Sequence, residues 1–109
     1  MPVRKKKARE LQQLVDIDRV VHEPARLLIL SYLYVVESAD FLFLLRQTNL
    51  TKGNLSSHLM RLENAGYVSI EKKFVEKIPR TLLSLTKDGR KAFHEYSQRM
   101  KKIFSELPG

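Results

Sequence analysis

Cysteine is absent from the 109 residues, so neither a disulfide framework nor a thiolate metal site is available. Histidine is scarce: His22, His58 and His94 stand far apart without ligand-like spacing, which argues against zinc. Long apolar runs are missing as well. Leu27 to Val36 is the longest, is broken by Ser31, and has about half the length that a bilayer span requires. The basic N-terminus lacks the apolar stretch of a signal peptide, so a cytoplasmic protein without membrane association is expected. No nucleophile–base pair, paired carboxylates or phosphate loop is visible, and Gly53 alone makes no such loop. An enzyme is therefore not expected, and no cofactor or metal is implied. The length suits one hydrophobic core and is too short for two ordinary domains.

What the chain does have is positive charge, +8 in total, unevenly spread. Residues 1–9 hold five cations and no anion, residues 10–50 are net acidic, and residues 51–109 are net basic again. A basic surface attracts phosphates of any sequence by releasing counterions. Charge alone does not specify a nucleic acid, because many basic proteins bind none.

Periodicity supplies the organisation. Residues 1–7 read as a basic flexible arm. A first helix is expected over 8–22, with Leu11, Leu14, Val15, Val20 and Val21 as its apolar positions. Pro24 disfavours helix at Glu23 and suits the first turn of a second helix, Pro24 to about Glu37, which is apolar almost all round. Ser38-Ala39-Asp40 gives a break and an N-cap for a short third helix, Phe41 to about Thr48. Asn49-Leu50-Thr51 is a turn, Thr51 caps a fourth helix, and Gly66 stops it. Tyr67–Lys73 and Arg80–Leu85 alternate as two strands around a loop from Phe74 to Pro79. Thr86 then caps a long last helix reaching about Leu107, with Asp88 in its first turn. The fold class is thus mainly α with a small β-hairpin. It reads as a winged helix-turn-helix over 23–86, with an added N-terminal helix and a long C-terminal dimerisation helix over 87–109.

At 100° per residue, Leu55, Leu59 and Leu62 of the fourth helix form one narrow apolar stripe. Gly53, Asn54, Ser57, Met60, Arg61 and Asn64 lie opposite, with Ser56 on the flank. A helix with small polar residues near its N-terminus can enter the major groove deeply. There Asn54 suits adenine, Arg61 suits guanine or a phosphate, and Ser56 or Ser57 suits either. Thr51, Lys52 and the free N–H groups of the first turn are placed for phosphates. His58 borders the stripe and reads as a partly buried, satisfied histidine. Lys72, Lys73, Lys77 and Arg80 gather around the hairpin loop and suit the flanking backbone or minor groove. Solvated edge-strand lysines that discourage aggregation are the plainer alternative.

Phe93, Tyr96, Met100, Ile103 and Leu107 are spaced 3, 4, 3 and 4, as in a heptad seam. The first helix of the same chain could cover this stripe. The preferred expectation is a homodimer interface built from it together with Leu11 and Leu14.

Four stretches carry a resemblance. They are His22-x-Pro24-x-Arg26-Leu27-x-Ile29-Leu30, Leu50-Thr51-x-Gly53-Asn54-Leu55-Ser56-x-His58-Leu59, Leu62-Glu63-x-Ala65-Gly66-Tyr67-Val68, and Pro79-Arg80-Thr81 with Leu85-Thr86-x-x-Gly89-Arg90. Together they resemble the small winged-helix DNA-binding proteins related to the MarR and ArsR regulators, over about residues 20–107. The resemblance implies a dimeric prokaryotic transcription regulator, most often a repressor. It would bind a pseudo-palindromic duplex, with Asn54, Ser56, Ser57 and Arg61 on the DNA-facing helix. Related dimers hold small molecules between the dimer helices and the DNA-binding core, so the resemblance makes Tyr32, Tyr34 and Phe43 candidates for an effector pocket, though aromatic residues on apolar helices are more often plain core. ArsR-type metal sensors commonly use cysteine ligands, so metal sensing is not inherited here. Leu11 to Val21 also looks longer and more apolar than the lead-in of the smallest members. The alternative is a winged-helix module that contacts protein or RNA within a larger assembly.

Overall fold

The computed structural model describes residues 11–108. Among these, four helices and three strands follow in the order α1 (Pro24–Val36), β1 (Ser38–Asp40), α2 (Phe41–Thr48), α3 (Lys52–Asn64), β2 (Val68–Val75), β3 (Ile78–Leu85) and α4 (Lys87–Ser105). The strands form one antiparallel sheet in the order β1-β3-β2.

Side-chain caps set the helix starts. The Glu23 carboxylate accepts from the amides of Ala25 and Arg26 at the start of α1, and Pro24 fills the first position, where no amide is needed. Asp40 accepts from Phe43 at 2.7 Å, Thr51 from Asn54 at 3.1 Å, and Thr86 from Gly89 at 2.9 Å. Asn49 leaves α2 in the left-handed region (φ 56°), a conformation asparagine tolerates, and so turns the chain into α3. The core lies between these helices and the sheet. It includes Ile29, Leu30, Leu33, Leu44, Leu55, Leu59, Leu62, Val68 and Leu83.

Three expectations are corrected. The break at Ser38-Ala39-Asp40 is a third strand, pairing Ala39 with Leu83. Three residues are too few to show a period of two. The loop expected over Phe74–Pro79 is instead a continuation of both strands, with Phe74 opposite Pro79 and Val75 opposite Ile78. Only Glu76 and Lys77 turn, at φ 52° and 68°. Two left-handed residues make the tight primed turn that matches strand twist, but the asparagine or glycine that usually announces it is missing.

The third correction concerns the helix expected over 8–22. Residues 8–10 and the arm at 1–7 lie outside the described residues. Leu11 and Gln12 are helical, after which the chain turns through residues 13–16 with hydrogen bonds such as Leu14 N to Leu11 O. Asp18 then accepts from the amides of Val20 and Val21, a local arrangement that competes with helix.

Candidate nucleic-acid interface

The apolar stripe of α3 faces inward as the angular reading requires: Leu55, Leu59 and Leu62 are buried. Thr51, Lys52, Asn54, Ser56, Ser57 and Arg61 are all exposed. Six sequence-predicted residues are therefore brought onto one open surface. Thr51 commits its hydroxyl to the Asn54 amide, so the amides of Lys52 and Gly53 are the first-turn donors left for an anion.

Beside α3 stands the β2–β3 ribbon. Side chains alternate along each strand, so Val68, Ile70, Lys72 and Phe74 share one face, with Leu85, Leu83, Thr81 and Pro79 opposite them. The base of this face is packed and its tip is not: Val68 and Leu83 are buried, whereas Phe74 is 78% exposed. Between ribbon and α3 runs an open groove of about 350 Å³, with Lys52, Ser56 and Met60 on one wall and Ile70, Lys72 and Thr81 on the other. No local pattern announces this groove, because its walls come from two segments that only the strand register and helix packing bring together.

The four wing cations do not gather at one place. Lys72 lines the groove, whereas Lys73 lies on the other face, across from Arg80 and 3.6 Å from Glu71. Arg80 lies within β3 rather than beside a loop, and its guanidinium is 3.8 Å from the Asp40 carboxylate at the start of α2. Lys77 belongs to the turn itself. The wing thus carries positive charge on both faces, and extension of the ribbon moves the loop beyond Arg80.

Behind α3 sits a polar cluster. His58 Nδ1 is 3.3 Å from the Glu23 carboxylate and 3.1 Å from Arg26 Nη1. Arg26 is buried, and its Nε donates to the Val20 carbonyl at 2.6 Å. Burial opposes ionisation of Glu23. The hydrogen bonds from Ala25 and Arg26, with the charges of His58 and Arg26, outweigh it and hold the carboxyl below its ordinary value. His58 is thus half-buried and partnered, as expected. Beyond its place in the Pro24-x-Arg26-Leu27 motif, the only local signal of Arg26 is that of a lone cation at the head of an apolar helix.

The proposed dimer stripe divides in two. Phe93 and Tyr96 pack against the chain's own core. Ile103 is fully buried within the chain, so it is not available as an interface contact. The heptad spacing fitted intramolecular cover at that position equally well. Met100 and Leu11 are half-buried, and Leu14 and Leu107 are exposed, as are Val15 and Phe104. Of the effector-pocket aromatics, Tyr34 packs on Phe93 with Arg90 over its ring, while Tyr32 and Phe43 border a shallow apolar hollow with Leu28 and Val35. No described helix is long and apolar enough to cross a membrane.

A helix-turn-helix followed by an antiparallel ribbon is the arrangement that a family model for winged helix DNA-binding domains matches, over residues 25–104. The chain belongs to that family. A relative from Methanocaldococcus jannaschii, the uncharacterized protein MJ0432, is 36% identical over 78 residues, 72% of this chain and 85% of that protein. The winged-helix fold also matches solved structures. A transcriptional regulator homologue from Pyrococcus horikoshii OT3 is 26% identical with a TM-score of 0.82, covering 95% of this chain and 99% of that one. Reduced AbfR bound to DNA is 22% identical with a TM-score of 0.65, covering 94% and 67%, a likeness of fold alone. The family model and the fold agree with the winged-helix resemblance carried by the motifs. Fold and family are those of winged helix DNA-binding domains.

Proposed function

We propose that the protein is a sequence-specific, homodimeric, cytoplasmic regulator of transcription, acting as a repressor by occupying a pseudo-palindromic site. In this reading α3 lies in the major groove. Asn54, Ser56, Ser57 and Arg61 meet base edges, and Thr51, Lys52 and the Gly53 amide meet phosphates. Lys72, Lys73, Lys77 and Arg80 follow the flanking backbone. The observation that carries the reading is the open polar face of α3, opposite its buried leucines and beside a ribbon with cations on both faces.

A two-fold dimer would present two such helices to half-sites about 34 Å apart. Leu14, Phe93, Tyr96, Met100 and Leu107, with Leu11, remain the candidate seam, and the exposed Val15 and Phe104 extend it. A small apolar effector seated near Tyr32 and Phe43 would act through that assembly.

Fluorescence anisotropy with the duplex upstream of the protein's own gene and a shuffled duplex, over about 50–200 mM salt, tests the reading. The expected result is a steep salt slope for both and discrimination of about 10³ or more for the true site. Arg61→Ala should cost about 1–3 kcal/mol of specific binding with the fold intact. Unchanged discrimination in that variant counts against the assigned face. Weak, indiscriminate binding together with a co-purifying protein would favour an interaction module, for which the uncovered Leu28, Val35 and Val36 on α1 are the supporting observation.

A further inference from the structure

The wing tip is built against the usual economy of a basic hairpin. Phe74 is 78% exposed, and Val75 and Ile78 stand in water beside it. A ribbon that only touched phosphates would need no apolar tip, and three exposed large hydrophobics at the end of a two-stranded projection gain nothing by folding. Cations bracket the apolar end: Lys72 on the Phe74 face, Lys73 and Arg80 on the other, and Lys77 in the turn. An apolar point with positive flanks complements a slot with negative walls.

Reach decides which slot. The ribbon leaves its packed base at Ile70 and Leu83, and the Val75–Ile78 pair lies five residues further on. At about 3.3 Å per residue this is roughly 16 Å of extension. Half a helical turn of B-form DNA, the step from a major groove to the adjoining minor groove, is about 17 Å. A wing beside an α3 seated in the major groove therefore brings its tip to the next minor groove. That groove is about 6 Å wide, which admits a side chain at the tip rather than the whole ribbon.

We infer that Phe74, with Pro79 beside it on the same face and Val75 and Ile78 one pair nearer the turn on the opposite face, is a minor-groove wedge that partly unstacks one base step beside each half-site. The inference rests on the reading of α3 as the major-groove helix. Apolar side chains of this kind open base steps at a cost repaid by closer wrapping of the duplex. Pyrimidine–purine steps are the least costly to open. The wedge thus adds a preference for TA or CA/TG steps at flanking positions that no hydrogen bond reads.

The test starts with duplexes that the wild-type protein selects from a randomised pool. One selected duplex of about 30 bp is then made with 2-aminopurine replacing single flanking adenines, whose fluorescence rises on unstacking. Wild-type protein should enrich a flexible step at a fixed distance from the core and raise the fluorescence there. Phe74→Ala should lose that rise and bind about tenfold more weakly, while retaining its melting temperature and its discrimination within the core. Phe74→Leu, still a wedge, should keep part of the signal. Tight, selective binding without any rise, or a rise that persists in Phe74→Ala, overturns the wedge and leaves the regulator reading standing. A fall in oligomeric mass in Phe74→Ala, seen by sedimentation, overturns it by assigning the tip to a protein contact. Failure of the wild-type protein to enrich any sequence overturns both readings.

Discussion

The three-helix core and the segment that crosses it, residues 16–23, are held by different forces. In the core Ile29, Leu33, Leu44, Leu55, Leu62 and Leu83 are sealed from water, and their contribution follows apolar area and fit. The crossing segment buries Ile17 and Val21, but polar contacts fix its path. Asp18 accepts the Tyr67 hydroxyl, Arg26 donates to the Val20 carbonyl, Arg99 donates to the Asp16 carbonyl at 3.1 Å, and His22 meets the Tyr96 hydroxyl at 2.7 Å. The difference matters for function because the polar route ends on the candidate reading helix, through Glu23, Arg26 and His58. Apolar packing seats α3 on the core, while the polar cluster ties it to the crossing segment.

The largest effect should come from the core. Leu55→Ala removes a fully buried side chain at the first turn of the apolar stripe and should cost about 2–5 kcal/mol in urea denaturation. Leu55→Met, close in volume, should cost less than about 1.5 kcal/mol. Equal losses in the two variants would mean that apolar area does not govern this site, and the contrast with the crossing segment would fail.

Arg26→Met comes next and reverses that logic, because volume is kept and donors are lost. The Val20 carbonyl and the His58–Glu23 pair lose a partner, so a loss of about 1.5–3 kcal/mol is expected despite the apolar replacement. DNA affinity, measured well below the melting temperature, should fall beyond what the unfolded fraction explains, since His58 is carried by α3. A stable Arg26→Met protein with unchanged binding would reduce Arg26 to a filler of space.

This contrast also explains what the sequence made legible. Leu55, Leu59 and Leu62 announce themselves by period, and Asp40, Thr51 and Thr86 by the chemistry of capping, because both signals are local. The exposed set Lys52, Asn54, Ser56, Ser57 and Arg61 followed as the complement of the stripe. Contacts between distant segments left no such mark. Gly89 stands in the sequence only as one residue of a motif, yet a Cβ there would strike the Tyr67 backbone carbonyl, so it lets α4 ride directly over the start of β2. The short β1, the tight turn at Glu76–Lys77 and the division of the α4 stripe at Ile103 depend likewise on partners remote in sequence. Heptad spacing says that a stripe will be covered, not by which chain.

Tyr67→Phe is the finest test, because it removes one oxygen and leaves the packing alone. The hydrogen bond to the Asp18 carboxylate, then burial and the nearby charges of Asp18, Asp88 and Glu95, push the Tyr67 phenol up to about 12. A group whose pKa is raised by folding contributes stability that is complete below its unfolded value, about 10, and is lost as the pH climbs toward the folded value. Wild type should therefore exceed Tyr67→Phe by about 1–2 kcal/mol at neutral pH. The gap should narrow between about pH 10 and 12, as the phenolate forms opposite a carboxylate. Asp18→Asn should abolish most of the pH dependence of that gap while disturbing the core little. A gap that stays constant through this range would place the effect in packing, and the crossing segment would then be held by the same force as the core.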